Sequence, residues 1–489
     1  MSSTITIKSL EPVPLWTSFA DLNAVPRPSK REERVTQFMR EFGQRLGLAT
    51  EVDGVGNVLI RKPASKGREK HPTVVLQSHL DMVWQKNSDS KFDFDTQGID
   101  MLIEGDWVKA RGTTLGADNG IGVASIMAIL SADDIVHPSL EALFTIDEET
   151  GMTGAKALPA GWLKGRILLN LDTEQDNELT IGCAGGINVT GSMPFATQAP
   201  PKDSVGFRVG VRGLKGGHSG MDIHLGRGNA NKIMNRVLYQ AAKKFALQVA
   251  SIQGGGLRNA IPRESSATGA VPNKNRQDFA AWFVGESEAI RREYSVTDPD
   301  LKLDLEFVAV PEKVLVAADQ AKMFAAVYAC PNGIFRMSPS IPGLVQSSNN
   351  LASVEMSGNK INFLCLARSS VDTERDEVAR AISALFESYG ATVEASGDYP
   401  GWQPAPDASI TKLMSDLYKE MFGDEAHVSA CHAGLECGII GSHFPGMEMI
   451  SFGPNIYGAH SPDEKVQISS VKKYWRFLLE TLNRIGETK

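Results

Sequence analysis

Three short apolar runs, each ending on polar or acidic residues, constrain the fold of this chain more than any other feature of its sequence. Residues 73–78 read TVVLQS, residues 140–146 read LEALFTI and residues 166–171 read RILLNL. Apolar runs of this length are typical of buried strands, and a helical pattern at residues 120–130 separates the first two. Strands alternating with helices favour an α/β fold with a largely parallel sheet, whose functional sites lie at the carboxyl ends of its strands.

Helical patterns also mark both flanks of the chain. Residues 35–46 place apolar side chains at helical spacing, and Ser29 with Glu32 forms a capping-box pattern before them. Residues 471–485 form a second amphipathic pattern. We therefore expect a capped helix near the start of the chain and another at its end.

The middle of the chain has a different character. Residues 188–399 combine glycine-rich turns with alternating strand-like runs and charged helical stretches, and the α/β pattern resumes near Gly401. A chain of 489 residues exceeds the usual size of one domain. The prediction is an α/β domain built from residues 1–187 and 400–489, interrupted by an inserted α+β domain at residues 188–399.

Charge and cysteine content argue against several classes of protein. The net charge is −8, and an acidic surface does not attract nucleic acid or anionic membranes. The 5 cysteines are too few for a dense disulfide framework, and none has the C-x-x-C spacing of a zinc ribbon. The start, MSSTITIKSLEPVPLW, lacks the pattern of a secretory signal, and residues 121–132 are too few to span a bilayer. We expect a cytoplasmic protein.

Acidic and imidazole side chains follow the predicted strands or lie in turns. They occur in five segments: SHLDMV (His79, Asp81), LGADNG (Asp118), TIDEETGMTGA (Asp147, Glu148, Glu149), LNLDTE (Asp172, Glu174) and YGAHSPDE (His460, Asp463, Glu464). Any one such residue is more often a capping or hydrogen-bonding group. Five together indicate a divalent metal such as zinc, and the absence of cysteine favours a catalytic site over a structural one.

The spacing within two segments suggests distinct roles. His79 and Asp81 are two positions apart and point the same way on a continuing strand, so Asp81 could hold the His79 imidazole. Glu148 and Glu149 are adjacent, so they diverge on an extended backbone, and one could bind metal while the other faces substrate. The alternative for this segment is a helix N-terminus stabilised by the helix dipole.

The ordered set HLDMV, GADNG, DEETGMTGA, NLD, GGHSG and HSPDE resembles the co-catalytic zinc peptidases that include aminoacylase, glutamate carboxypeptidase and carnosinase. The longer motifs KARGTTLGADNGIG, RNAIPRE, YPGWQP and HAGLECG are similar to those of the bacterial dipeptidases in this family. The resemblance runs over nearly the whole chain. It implies a catalytic α/β domain with two metals and an inserted lid domain that binds substrate.

The resemblance implies a role for each matching residue. The metal ligands would be His79, Asp118, Glu149, Asp172 and His460. Asp118 would bridge two metal ions, which the resemblance implies are zinc, although cobalt and manganese suit the same donors. Asp81 would orient His79, and Glu148 would be the general base for a water that bridges the metals.

The resemblance also assigns residues of the insert. His218 would polarise the scissile carbonyl, and Asn259, Arg368 and the backbone at Gly434 would bind substrate. Arg368 would take the terminal carboxylate, which its planar guanidinium can bind through two hydrogen bonds. From the residues alone, Arg368 could instead pair with a local acid, and Asn259 could cap a turn.

Three functions remain open at this point. The leading one is a dipeptidase that cleaves unblocked dipeptides, including Xaa-His and β-alanyl-histidine. A related tripeptidase or N-acyl-amino-acid amidohydrolase is the second, and a silent binding protein with the same fold is the third. The length of the insert favours His218 acting within its own chain, and a homodimer is expected from the resemblance.

Overall fold

The computed structural model describes residues 6–486, and the chain divides into two compact units. Unit 1 comprises Met1–Cys183, Trp402–Ala430 and Leu435–Lys489, and unit 2 comprises Ala184–Gly401 and Cys431–Gly434. Residue 188, the expected start of the insert, lies inside a strand that pairs with its neighbour from Gly185 onward. Unit 2 therefore begins at Ala184, a few residues before the expected start.

The helices differ widely in length. Within the described residues they are α1 (Val13–Asn23), α2 (Glu33–Arg45), α3 (Ala117–Ser131), α4 (Thr153–Lys156), α5 (Ala230–Phe245), α6 (Arg276–Glu293), α7 (Ala317–Ala329), α8 (Asp372–Ser388), α9 (Ser409–Phe422), α10 (Glu436–His443) and α11 (Ile468–Arg484). Among the described residues, none of these helices combines the length and the apolar composition that crossing a membrane requires.

Between residues 6 and 486 the strands fall into four sheets. They are β1 (Ala49–Val52), β2 (Val58–Lys62), β3 (Val74–His79), β4 (Met101–Glu104), β5 (Trp107–Ala110), β6 (Leu140–Thr145), β7 (Ile167–Asn170), β8 (Glu178–Cys183), β9 (Gly185–Pro194), β10 (Thr197–Gln198), β11 (Ser204–Arg212), β12 (Gln248–Gly255), β13 (Ser265–Pro272), β14 (Lys302–Val308), β15 (Val314–Leu315), β16 (Gly333–Met337), β17 (Val345–Ser357), β18 (Lys360–Ser369), β19 (Thr392–Tyr399), β20 (His427–Cys431), β21 (Glu448–Ser451), β22 (Ile456–Tyr457) and β23 (Lys465–Gln467).

The main sheet of unit 1 has the strand order β1-β2-β6-β3-β7-β21-β8-β20. Strands β6, β3, β7 and β21 run parallel to one another, whereas β1, β2 and β8 pair antiparallel. The predicted parallel sheet is therefore confirmed for the centre, and the edges differ from it. All residues of β3 and β6 are buried, which fits their mainly apolar sequences, VVLQSH and LEALFT.

Helix α3 is buried along nearly its whole length. Its small residues allow this, because a Cβ at Gly122 would overlap Ser78 and lie 2.7 Å from the carbonyl oxygen of Leu171. The helix consequently lies close to the ends of the strands that carry the acidic segments.

Helix α2 begins later than the capping pattern predicts. Its N-cap is Glu32, and the structure gives it no side-chain cap. Ser29 instead donates to Oδ2 of Asp81 at 2.8 Å, and Glu32 accepts from the amide of Lys30 at 2.7 Å. The capping-box prediction is wrong because a buried carboxylate competes for the serine hydroxyl. The predicted C-terminal helix is confirmed as α11.

Unit 2 is built on an antiparallel sheet with the order β14-β11-β13-β12-β17-β18-β9-β19, to which β16 adds through β17. Its core contains Phe207, Phe279, Phe363 and Phe386, with the rings of Phe363 and Phe386 stacked at 4.9 Å. The predicted fold class, an α/β unit with an inserted α+β unit, is confirmed.

Candidate metal centre

The central strands of unit 1 bring the acidic segments to one edge of the sheet. His79 is the last residue of β3, the segment with Glu148 and Glu149 follows β6, and Asp172 follows β7. Because these strands are parallel, their carboxyl ends meet at the same edge. Asp118 lies at the start of α3, where it and Asn119 have non-helical backbone angles.

Two imidazoles flank one carboxylate at this edge. Nε2 of His79 lies 3.2 Å from Oδ1 of Asp118, and Nε2 of His460 lies 3.3 Å from Oδ2 of the same side chain. Each oxygen of Asp118 therefore faces a different histidine. A carboxylate in this position can serve two neighbouring cations at once, one through each oxygen.

Each histidine also has a second carboxylate beside it. Nε2 of His79 is 3.5 Å from Oδ1 of Asp172, and Nε2 of His460 is 3.0 Å from Oε2 of Glu149. Three sets of ligand atoms lie within 4.8 Å of one another: His79 with Asp118 and Asp172, His460 with Asp118 and Glu149, and His79 with Glu148 and Glu149. The first two sets share Asp118 and no other residue.

Asp81 contacts both the imidazole of His79 and the segment that carries Glu148 and Glu149. Nδ1 of His79 lies 3.2 Å from the backbone carbonyl oxygen of Asp81 and 3.4 Å from its Oδ1, which leaves Nε2 directed at Asp118. The same carboxylate accepts from the amides of Glu148 at 3.1 Å and Glu149 at 3.3 Å. A single fully buried side chain thus positions the histidine and both glutamates.

Burial and neighbouring charges shift the pKa values of the side chains in this cluster. Burial raises the pKa of Glu148 well above its usual range, and burial likewise raises the pKa values of Glu149 and Asp172. Burial disfavours a protonated His79, yet Asp172, Asp118 and Asp81 outweigh it and hold that pKa well above normal. Hydrogen bonds to Asp118 and Glu149 raise the pKa of His460 to about 11. Such a cluster requires cations, either protons or metal ions.

The donor set fits divalent metal ions. It consists of imidazole nitrogens and carboxylate oxygens, and Oε1 of Glu149 is buried without a hydrogen-bond partner. A buried carboxylate oxygen with no donor is costly unless a cation binds it. The five residues expected to bind metal all lie in this cluster.

The histidine of the insert lies in unit 2, beside a tight turn. Nδ1 of His218 accepts from the amides of Gly220 at 3.2 Å and Met221 at 3.0 Å. Because Nδ1 is an acceptor, the ring carries its proton on Nε2 and is neutral. Burial and the charge of Arg368 lower the pKa of His218, which favours the same state. His218 is therefore a hydrogen-bond donor through Nε2.

Arg368 is buried without an acidic partner among the described residues. It lies at the end of β18, is 4 % exposed, and donates through Nη1 to the hydroxyl of Tyr399 at 2.7 Å. Its Nε is buried and has no hydrogen-bond partner. The alternative of a local ion pair for Arg368 is therefore wrong, and the guanidinium retains donors for an anion.

Asn259 and Gly434 lie on two other segments of unit 2. The carbonyl of Asn259 accepts from the amide of Ser219 at 2.8 Å, next to His218, and its side chain is exposed. Asn350 holds the same segment by donating to the flanking carbonyls of Arg258 and Ala260. Gly434 is half-buried and follows Ala433, whose carbonyl accepts from Ala184 at 2.9 Å.

Three buried charged residues of unit 1 received no individual role from the sequence. Arg27 donates to backbone carbonyls of the His79 and Asp118 segments, and burial lowers its pKa to about 10. Glu464 accepts from four backbone amides around Asp118. Glu436 accepts from Gln77 and Thr145, and burial raises its pKa to about 8. Glu464 and Glu436 stand in motifs quoted above, but Arg27 has no comparable signal.

Comparison with known proteins agrees with this architecture. Over residues 75–484 the chain matches a model described as peptidase family M20/M25/M40. It is 42% identical over 479 residues to the cytosol non-specific dipeptidase of Escherichia coli, covering 98% of this chain and 99% of that protein.

Solved structures give the same result. The aminoacylhistidine dipeptidase of Vibrio alginolyticus superposes with a TM-score of 0.93 at 44% identity, and the match covers 100% of both chains. The aminopeptidase PepT of Bacillus cereus has the same fold, with a TM-score of 0.57 at 15% identity over 97% of this chain and 99% of that one. The resemblance read from the motifs is confirmed, and the chain belongs to peptidase family M20/M25/M40.

Proposed function

We propose that this chain is a metal-dependent dipeptidase that hydrolyses unblocked dipeptides, including Xaa-His and β-alanyl-histidine. The observation that carries the proposal is the position of Asp118 between His79 and His460, with Glu148 beside the same cluster. The names of the E. coli and Vibrio relatives, both dipeptidases, support the substrate class.

Two divalent ions would be held by residues of unit 1. His79, Asp118 and Asp172 would bind one, and Asp118, Glu149 and His460 would bind the other. Zinc is the proposed metal, and cobalt or manganese suits the same donors. When bound, such ions supply Lewis acidity and lower the pKa of water in the site.

Glu148 is the proposed general base. Its amide is fixed by Asp81, and its side chain is not one of the ligands just named. The Glu148 carboxylate would accept a proton from the attacking water. It then passes that proton to the departing amine, so one side chain serves both steps of the hydrolysis.

The residues of unit 2 would bind the substrate. Nε2 of His218 would donate to the carbonyl oxygen as negative charge develops there. Arg368, which has an unpaired buried Nε, would bind the free carboxylate of the dipeptide. Asn259 and the backbone at Gly434 would hold the remainder of the peptide.

A cytoplasmic location and a homodimer complete the proposal. The location is supported by the name of the E. coli relative. The dimer is supported by apolar side chains exposed along β16, where Ile334, Phe335 and Met337 are 44%, 54% and 43% exposed. Sedimentation equilibrium of the purified protein tests the dimer, and a monomer at all concentrations would contradict it.

The experiment that tests the function is a substrate panel combined with metal analysis. Free dipeptides, acetylated dipeptides, dipeptide amides and tripeptides are compared on the same zinc-loaded protein. We expect turnover of the free dipeptides and two metal ions per chain. Preference for acetylated substrates would indicate an amidohydrolase, preference for tripeptides a tripeptidase, and a metal-loaded protein without turnover would contradict all three.

A further inference from the structure

One residue of the Asp118 segment, Gly116, lies between two buried charges of opposite sign. The carbonyl of Gly116 accepts from Nη2 of Arg27 at 2.5 Å, and its amide donates to Oε2 of Glu464 at 2.9 Å. Arg27 is 1% exposed and Glu464 is 2% exposed. The pair therefore binds the backbone on both sides of the Gly116 Cα, where solvent does not weaken either hydrogen bond.

Each of the two charges joins the Asp118 segment to another ligand segment. Arg27 also donates through Nη1 to the carbonyls of Leu80 and Asp81, both at 3.1 Å, directly after His79. Glu464 stands four positions after His460 and accepts from the amides at 115, 116, 117 and 118 at 2.7, 2.9, 2.7 and 3.3 Å. The segments that carry His79, Asp118 and His460 are thus connected through Gly116.

Glycine is required at the centre of this connection. Gly116 has a φ of +70°, and a Cβ there would lie 2.5 Å from Nη2 of Arg27 and 2.8 Å from Sδ of Met82. A side chain at position 116 would displace the guanidinium and strain the backbone. The close approach of Arg27 to the peptide therefore depends on the absence of a side chain.

We propose that Arg27 and Glu464 are positioning residues that set the separation of the two metal sites by fixing the Asp118 segment against those of His79 and His460. The inference rests on the proposed function, because it takes Asp118 as the ligand common to both metals. It goes further by assigning metal affinity to two residues that bind no metal. Residues that hold metal ligands in place typically contribute about 10–100-fold to affinity.

The test is zinc binding by the metal-free Glu464→Gln protein, measured by calorimetry with a competing chelator. A glutamine amide offers one acceptor oxygen, so its NH2 group would face backbone N–H groups that now bond the carboxylate. We expect both zinc dissociation constants to rise by about 10-fold or more, since Asp118 serves both sites.

Glu141→Gln is the matched control. Glu141 is 2% exposed and accepts from the amides of Lys164 and Gly165 at 2.8 and 2.9 Å, but it lies at the amino end of β6. Both variants lose a buried carboxylate that binds backbone amides. We expect only Glu464→Gln to lose zinc affinity, whereas both should unfold at a lower temperature.

Unchanged zinc affinity in a folded Glu464→Gln protein would overturn the inference, as would an equal loss in Glu141→Gln. If Glu464→Gln does not fold, Arg27→Lys takes its place, because lysine keeps the charge but cannot reach all of the carbonyls that Arg27 bonds. Its zinc affinity should fall similarly, and no change would again contradict the inference. A parent protein that binds no zinc pair would instead contradict the proposed function itself.

Discussion

Unit 1 and unit 2 both bury charged groups at their candidate functional residues, but they do so with opposite signs. In unit 1, the carboxylates of Asp118, Glu149 and Asp172 converge around two imidazoles, and the excess of negative charge calls for cations. In unit 2, Arg368 is buried without an acid, and His218 is neutral with a free N–H. We therefore expect metal affinity to depend on residues of unit 1 and substrate recognition on residues of unit 2, so substitutions should separate the two.

Asp118→Ala should have the largest effect. Loss of a carboxylate whose two oxygens face different histidines should reduce the metal content from two ions per chain to fewer than one. Lewis acidity is then lost, and turnover should fall by about 10³-fold or more. Elemental analysis after dialysis, alongside dipeptide hydrolysis, measures both quantities. Two tightly held ions in this variant would show that Asp118 does not bridge.

Glu148→Ala should separate chemistry from metal binding within unit 1. Removal of a proton acceptor that is not a ligand should lower kcat by about 10²–10⁴-fold while two metals remain bound. Glu149→Ala is the matched control, because its neighbouring carboxylate is a proposed ligand and its loss should release metal. Turnover of Glu148→Ala within about tenfold of the parent would refute the role of a general base.

Arg368→Ala should affect substrate recognition and leave the metals in place. Loss of a hydrogen bond from this buried charged group should raise the activation free energy for Leu-Gly by about 2 kcal/mol, which lowers kcat/KM roughly thirtyfold. The fall in kcat/KM for Leu-Gly amide should be much smaller. Arg375→Ala is the control, since Arg375 is also buried but pairs with Asp376 at 2.7 Å. It should lower stability without changing the ratio of acid to amide. Equal losses on both substrates in Arg368→Ala would exclude a carboxylate clamp.

Metal removal should produce the smallest and most localised effect. Without cations, repulsion among the carboxylates should loosen the segments at 115–118, 147–149 and 458–461. Hydrogen exchange there should accelerate by about tenfold, equivalent to about 1.4 kcal/mol of local stability, while β9 and β18 of unit 2 are unchanged. Equal acceleration in both units would indicate that the metals stabilise the whole chain.

The sequence predicts those parts of the structure that depend on local patterns. The apolar runs at β3, β6 and β7 are fully or largely buried strands, and the polar residues after them meet at one edge because the strands are parallel. The residue types at that edge are sufficient to suggest a metal. The same reasoning cannot predict which oxygen faces which histidine, because that depends on the backbone of the Asp118 segment.

Interactions between distant residues explain the errors. Ser29 was expected to cap α2, but its hydroxyl bonds Asp81, which lies 52 positions away in sequence. Arg27 bonds a carbonyl 89 positions away, and Glu464 bonds amides more than 340 positions away. No local pattern marks such pairs. The position of β21 between β7 and β8 has no local signal either, because this strand comes from beyond the insert.

The position of β21 determines when the main sheet can be completed during synthesis of the chain. During synthesis, Ala184–Gly401 leaves the ribosome before any residue of Trp402–Ala430 or Leu435–Lys489. Unit 2 then has all but four of its residues, while the main sheet still lacks the central strand β21. His460 emerges later still, after β21 and β22. A nascent chain therefore holds only one of the two flanking imidazoles. Synthesis order alone keeps the growing polypeptide from carrying all the proposed metal ligands until His460 is made.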